Sequence, residues 1–181
     1  ASQFGYTDIV RLLTERGAAA DLQDIHGSTA LILAAQNGNN DIVKILTASG
    51  AEPDIPDSNG STALILASQE GNEEAVRILL ESGANADKQT VNGNTALILA
   101  ALKGHGDIVQ LLLDKGAQVD MRTSTGATAL FAAASRGHSQ TVSILLERGA
   151  DPLVTDREGK TAFFYTKDYN VKAILTAWTK K

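Results

Sequence analysis

The chain has 181 residues, of which 43% are hydrophobic, 20% charged and 4% aromatic, with a formal net charge of −5. That balance agrees with a water-soluble folded chain; no apolar run approaches the ~18 residues of a membrane span, and no signal segment is visible. The absence of Cys excludes disulfides and thiolate metal sites and suits an intracellular, cytoplasmic location.

Read from its start, the chain is punctuated by glycine. Gly5, Gly17 and Gly27 begin three series that recur every 33 residues without insertion or deletion, through Gly38, Gly50 and Gly60 to Gly137, Gly149 and Gly159. A fixed period of this length signals a solenoid, in which each unit buries its apolar face only against its neighbours. Residues 1–24 read as a partial unit. Ala1 aligns with Ala34, Ala67, Ala100 and Ala133, so the register predicts that the opening of this unit, and an initiator Met, precede the sequence. Phe4, Ile9, Leu12 and Leu13 would then border an open edge, covered by further repeats or another molecule.

In the next unit, 25–57, Thr29 to Asn37 is predicted as a first helix, with the Thr29 hydroxyl capping its N-terminus. Asp41 to Ser49 is predicted as a second, because Ile42, Val43, Ile45 and Leu46 share one helical face while Asp41 and Lys44 point away. From Gly50 to Ser61 the sequence turns to Gly, Pro, Asp, Asn and Ser, which predicts a hairpin-like loop. The same order recurs over 58–90, 91–123 and 124–156. Residues 157–181 hold a worn unit and five of the eight aromatics: Phe163, Phe164, Tyr165, Tyr169 and Trp178. They read as a capping repeat whose rings close the solenoid end, with an aromatic binding pocket as the alternative.

The recurring phrase is Gly-Ser-Thr-Ala-Leu-Ile-Leu-Ala-Ala from Gly27, Gly-Asn-Thr-Ala-Leu-Ile-Leu-Ala-Ala from Gly93 and Gly-Ala-Thr-Ala-Leu-Phe-Ala-Ala-Ala from Gly126. A Gly-Ala pair follows each second helix, from Gly17-Ala18 to Gly149-Ala150. A 33-residue unit with a Thr-x-Leu-x-x-Ala phrase resembles the ankyrin repeat. The resemblance covers the whole chain. It implies an all-α ankyrin-repeat solenoid of stacked helix-turn-helix units with hairpin-like loops, one domain over 1–181. Two positions depart from the family phrase in every unit. Ala30, Ala63, Ala96, Ala129 and Ala162 stand where the family has Pro, and Ile32, Ile65, Ile98, Phe131 and Phe164 where it has His. Ala is the best helix former, so the first change costs little. The second exchanges a hydrogen-bonding imidazole for groups that can only pack, which predicts an apolar spine along the array.

No catalytic signature is present. Without Cys a nucleophile would have to be Ser, Thr, Lys or a carboxylate, and no Gly-x-Ser-x-Gly, Walker-type or Gly-x-Gly-x-x-Gly sequence occurs. His105 and His138 follow a repeat glycine, where the resembled family favours His at the start of the second helix. Asp21, Asp54, Asp87 and Asp120 recur with the period; side-chain bonds to turn backbone are expected of them rather than a metal ladder. Neither a cofactor nor a metal is expected. Scattered basic residues and few aromatics argue against nucleic acid. Charge is uneven: residues 1–90 carry 13 acidic and 5 basic side chains, residues 91–181 carry 8 and 11. Such an axial dipole would orient a partner of complementary charge, or it is drift among solvated groups.

What remains is binding of another protein or peptide. The resemblance implies a concave side made of hairpin tips and first helices, used through the two residues before the first glycine and the two before the second. By register these are Ile25, His26, Gln36 and Asn37; Ser58, Asn59, Gln69 and Glu70; Val91, Asn92, Leu102 and Lys103; Ser124, Thr125, Ser135 and Arg136. Val91 and Leu102 stand out as the one apolar pair, and with Arg122 and Arg136 one repeat further on they have the composition of an interface centre. The function expected is a non-enzymatic protein-interaction module centred on 91–156. The alternative is a targeting or autoinhibitory segment of a larger enzyme, channel or secreted effector.

Overall fold

The computed structural model describes residues 1–180, and among them the chain is all-helical. A single 3-10 turn, Ser2–Phe4, and helix α1 (Thr7–Glu15) come first. Four helix pairs follow: α2 (Ala30–Gln36) with α3 (Asn40–Ala48), α4 (Ala63–Glu70) with α5 (Glu73–Glu81), α6 (Ala96–Lys103) with α7 (Gly106–Asp114), and α8 (Ala129–Arg136) with α9 (Ser139–Glu147). A shorter α10 (Ala162–Tyr165) pairs with α11 (Tyr169–Trp178). The first helices α2, α4, α6, α8 and α10 pack side by side in one layer, and α1, α3, α5, α7, α9 and α11 in another. This is the stacking that a 33-residue period demands, because no unit can bury its apolar side alone.

The two layers differ as their sequences do. First helices are buried on nearly every side, as Leu31, Ile32, Ala34 and Ala35 show in α2. Second helices are amphipathic: Ile42, Val43 and Leu46 of α3 are buried, Ile45 is half-buried, and Asp41 and Lys44 are exposed. Thr29, Thr62 and Thr95 each accept the backbone N–H three residues on, at 3.2, 3.4 and 3.2 Å. Thr128 and Thr161 stand in the same register without that bond.

The apolar spine holds at Ile32, Ile65, Ile98 and Phe131, all at most 5% exposed. It fails at Phe164, which is 62% exposed. The reason is local: α10 has only four residues, the backbone turns extended at Thr166, and no further first helix packs on it among the described residues. The rings of 163–169 do not form a buried cap either. Phe163, Phe164 and Tyr169 are exposed, Tyr165 is 37% exposed beside Phe131, and Trp178 packs partly buried against the core. At the other end Phe4, Ile9, Leu12 and Leu13 are exposed.

Units are joined by polar bonds as well as by the core. Asp21, Asp54 and Asp87 each accept a backbone N–H one unit along, from Glu52, Asn85 and Gln118 at 2.9 to 3.0 Å. Asp120 makes the equivalent bond to Asp151, at 3.3 Å. Thus these carboxylates do serve backbone, but the backbone of the next unit. At the start of the second helices Asn72, His105 and His138 reach back to carbonyls near the end of the first helix one unit before, His138 Nε2 to Leu102 at 3.1 Å, and Asn39 likewise reaches Ser2 in the opening 3-10 turn. The approach is close: a Cβ on Gly104, itself at φ +78°, would lie 2.7 Å from the His138 ring.

Candidate functional site

The hairpin tips form a backbone ladder along one side of the first helices. Ser58 N–H donates to His26 O, Val91 to Asn59, Ser124 to Asn92 and Arg157 to Thr125, at 2.9 to 3.1 Å. Each tip is closed from within, by Asp24, Asp57 and Asp156 or by Thr90 and Thr123, whose side chains accept N–H groups two and four residues ahead or, for Thr90, four. The tips therefore stand as a fixed row that bounds the space along the first helices.

Over α6, α8 and α10 this space widens into an open groove of about 740 Å³. Its floor is apolar: Ile98 and Phe131 are 4% and 5% exposed, and Leu102, Ala132 and the Tyr165 ring stand beside them. The rim is polar, with Asn92, Asn94, Ser124 and Thr125 on the tips and Ser135 at the end of α8. Position 132 explains why the groove opens here. Leu33, Leu66 and Leu99 occupy that register in the three preceding units, and α8 has Ala. The missing isopropyl leaves room that the Phe131 and Tyr165 rings, 5.9 Å apart between centroids, border rather than fill.

Tyr165 is held in place by its hydroxyl, which donates to Asp156 Oδ2, while Asp156 Oδ1 accepts the N–H groups of Glu158 and Lys160 at 2.8 and 2.9 Å. The Tyr165 bond, followed by the Lys160 N–H, holds the Asp156 carboxyl below its ordinary value. The same bond pushes the Tyr165 phenol up to about 12. Glu158 is paired with Lys160 at 2.7 Å. Both acids of the rim are thus engaged within the chain.

Every residue expected on the binding side is exposed or half-buried. The groove gathers Asn92, Leu102, Ser124, Thr125 and Ser135. Lys103 and Arg136 end α6 and α8 directly after its lining residues Leu102 and Ser135. Val91 is 71% exposed on a tip and does not line it. Arg122 lies along the loops, with Nη1 donating to Thr155 O at 3.3 Å, as a strap between units. Ile25, 94% exposed, and His26, Gln36, Asn37, Ser58, Asn59, Gln69 and Glu70 belong to the earlier units, outside the groove. Several of these are used within the fold: Asn37 Nδ2 donates to Leu33 O at 2.8 Å, and Gln69 Nε2 to Glu70 Oε1 at 2.9 Å. Reading by register stopped one unit early, since Arg157 and Glu158 occupy the same tip positions as Ser124 and Thr125. Ala132 carried the other signal, as the one small residue in the register of Leu33, Leu66, Leu99 and Tyr165.

The family model for ankyrin repeats, built of three copies, matches residues 1–90 and again 82–156. Among curated proteins, none matches the chain. No group of three or more His, Asp or Glu side chains among the described residues is arranged to hold a metal ion. No helix is long and apolar enough to cross a membrane among those residues.

Proposed function

Since the chain belongs to the ankyrin-repeat family, whose members are in general protein–protein interaction modules, we propose that it binds a protein or peptide along the face of hairpin tips and first helices. The centre of that face is the groove over α6 and α8, and the role is binding without catalysis. One observation carries the reading: a groove with an apolar floor, where Leu102 and Tyr165 remain partly exposed, opens beneath a fixed polar rim. An apolar floor within a polar rim is the anatomy of an interface centre, where a partner's side chain excludes water. The first helices supply the floor and the tip ladder fixes the rim, so the partner meets a surface organised in advance.

Photo-crosslinking tests this. A benzoylphenylalanine at Ser135, on the groove, should capture a partner from native lysate, and the same group at Gln110, exposed on α7 in the other layer, should not. Leu102→Glu should abolish the adduct at 135. Equal capture from both positions, or an adduct indifferent to Leu102→Glu, sinks the reading.

A further inference from the structure

We propose that the segment held in this groove is an acidic peptide presenting one large apolar side chain, seated over Phe131 and Ala132, with its carboxylates on Lys103, Arg136 and Arg157. This rests on the groove being the partner site, and it names the chemistry of what enters.

The apolar half of the proposal follows from position 132. Three units carry Leu there and the fourth carries Ala, so the array has an aliphatic row with one member removed. Around the gap the surfaces are hydrocarbon: Ile98, Leu102, Phe131 and the face of Tyr165. Tyr165 is held at the edge of the gap by its hydroxyl, which donates to Asp156. A side chain of Leu size or larger, supplied by another molecule, restores the missing contacts.

The charged half follows from which groups are already satisfied. Asp156 spends Oδ1 on two backbone N–H groups and Oδ2 on Tyr165, and Glu158 is paired with Lys160. Lys103, Arg136 and Arg157 are exposed and make no side-chain ion pair or hydrogen bond among the described residues. Their placement is confined to this part of the array. In the earlier units the register of Lys103 and Arg136 holds Asn37 and Glu70, and that of Arg157 holds Ile25, Ser58, Val91 and Ser124. Free positive charge on this face therefore coincides with the gap and is absent elsewhere along it. Carboxylates on either side of an apolar anchor would meet cations without having to displace an internal partner. The neutral amides of Asn92 and Asn94 and the hydroxyl of Ser124 remain for the peptide backbone.

A random dodecapeptide phage library panned on the full chain tests both halves. Enriched sequences should share a Leu, Ile, Phe or Trp flanked by Asp or Glu. A fluorescein-labelled peptide of the enriched consensus should lose at least tenfold in affinity on Lys103→Glu/Arg136→Glu/Arg157→Glu, and weaken with added salt. It should lose a similar factor on Ala132→Leu, which restores the residue of the other units and is checked for intact folding by circular dichroism. Enrichment of neutral or basic peptides that still weaken on Ala132→Leu overturns the acidic partner and leaves the groove reading standing. Affinity indifferent to both Ala132→Leu and Leu102→Glu overturns the groove reading itself. No enrichment, beside a successful crosslink at 135, overturns the peptide and keeps the site.

Discussion

Thr29, Thr62, Thr95, Thr128 and Thr161 hold one register, yet only the first three accept a capping N–H. Thr128 is fully buried, and its Oγ1 has no partner among the described residues. A lost cap costs about 1 kcal/mol, whereas removing an unsatisfied buried hydroxyl relieves a penalty. Thr95→Val should therefore destabilise by roughly 1 kcal/mol, and Thr128→Val should leave the stability unchanged or raise it, as read by urea unfolding monitored by circular dichroism. Equal losses for the two would show that both hydroxyls are satisfied in solution. That a Thr begins each first helix was legible from its place before an apolar run. Which Thr bonds was not, because residue type is the same at all five positions.

Helices and loops show the same division between pattern and geometry. The glycine comb marked every turn, but its members do different work. Gly116, at φ +89°, has nothing within 4 Å of an added Cβ, while at Gly93, φ +77°, that Cβ would lie 2.8 Å from the backbone nitrogen of Ser124 in the next tip. Gly116→Ala should cost only the left-handed strain of about 1–2 kcal/mol. Gly93→Ala should cost more, since the tip ladder must shift, and the excess is measurable in the same denaturant series. Tyr165 was legible as one of a cluster of rings, and the cluster suggested an end cap. Its actual place depends on α10 stopping after one turn and on the bond to Asp156, neither of which ring counting can supply. That bond has a signature. The phenol is raised in the fold, so its contribution is present below the ordinary tyrosine range and is lost as pH climbs through about 12. The Asp156 carboxyl is lowered, so its half is present above the ordinary carboxylate range and lost as pH falls through the folded value. Asp156→Asn should bring the Tyr165 ionisation back toward about 10, seen as the phenolate absorbance missing from Tyr165→Phe. An unchanged titration would mean that the two groups do not meet.

At the scale of the molecule, the period made the stacking legible, while the groove was hidden because it arises from a difference between units. It needs Ala132 set against Leu33, Leu66 and Leu99, and Arg157 carried into register with Ser124. The stacking itself carries a consequence for how the chain comes apart. Helix α6 packs chiefly on α4, α7 and α8, whereas α11 packs chiefly on α9 and α10. In an array whose units meet only their neighbours, a loss at the end is contained and a loss in the middle divides the structure. Leu97 and Leu175 are 1% and 2% exposed, and truncating either to Ala removes the same atoms at a cost of roughly 2–5 kcal/mol. Leu175→Ala should accelerate amide exchange in α10 and α11 and leave α2 to α7 near their original protection. Leu97→Ala should lower protection from α4 through α9, because both interfaces of α6 are weakened together. Uniform loss across all helices on Leu175→Ala would show that the array unfolds as one cooperative body, and that the coupling between adjacent units exceeds the cost of the cavity.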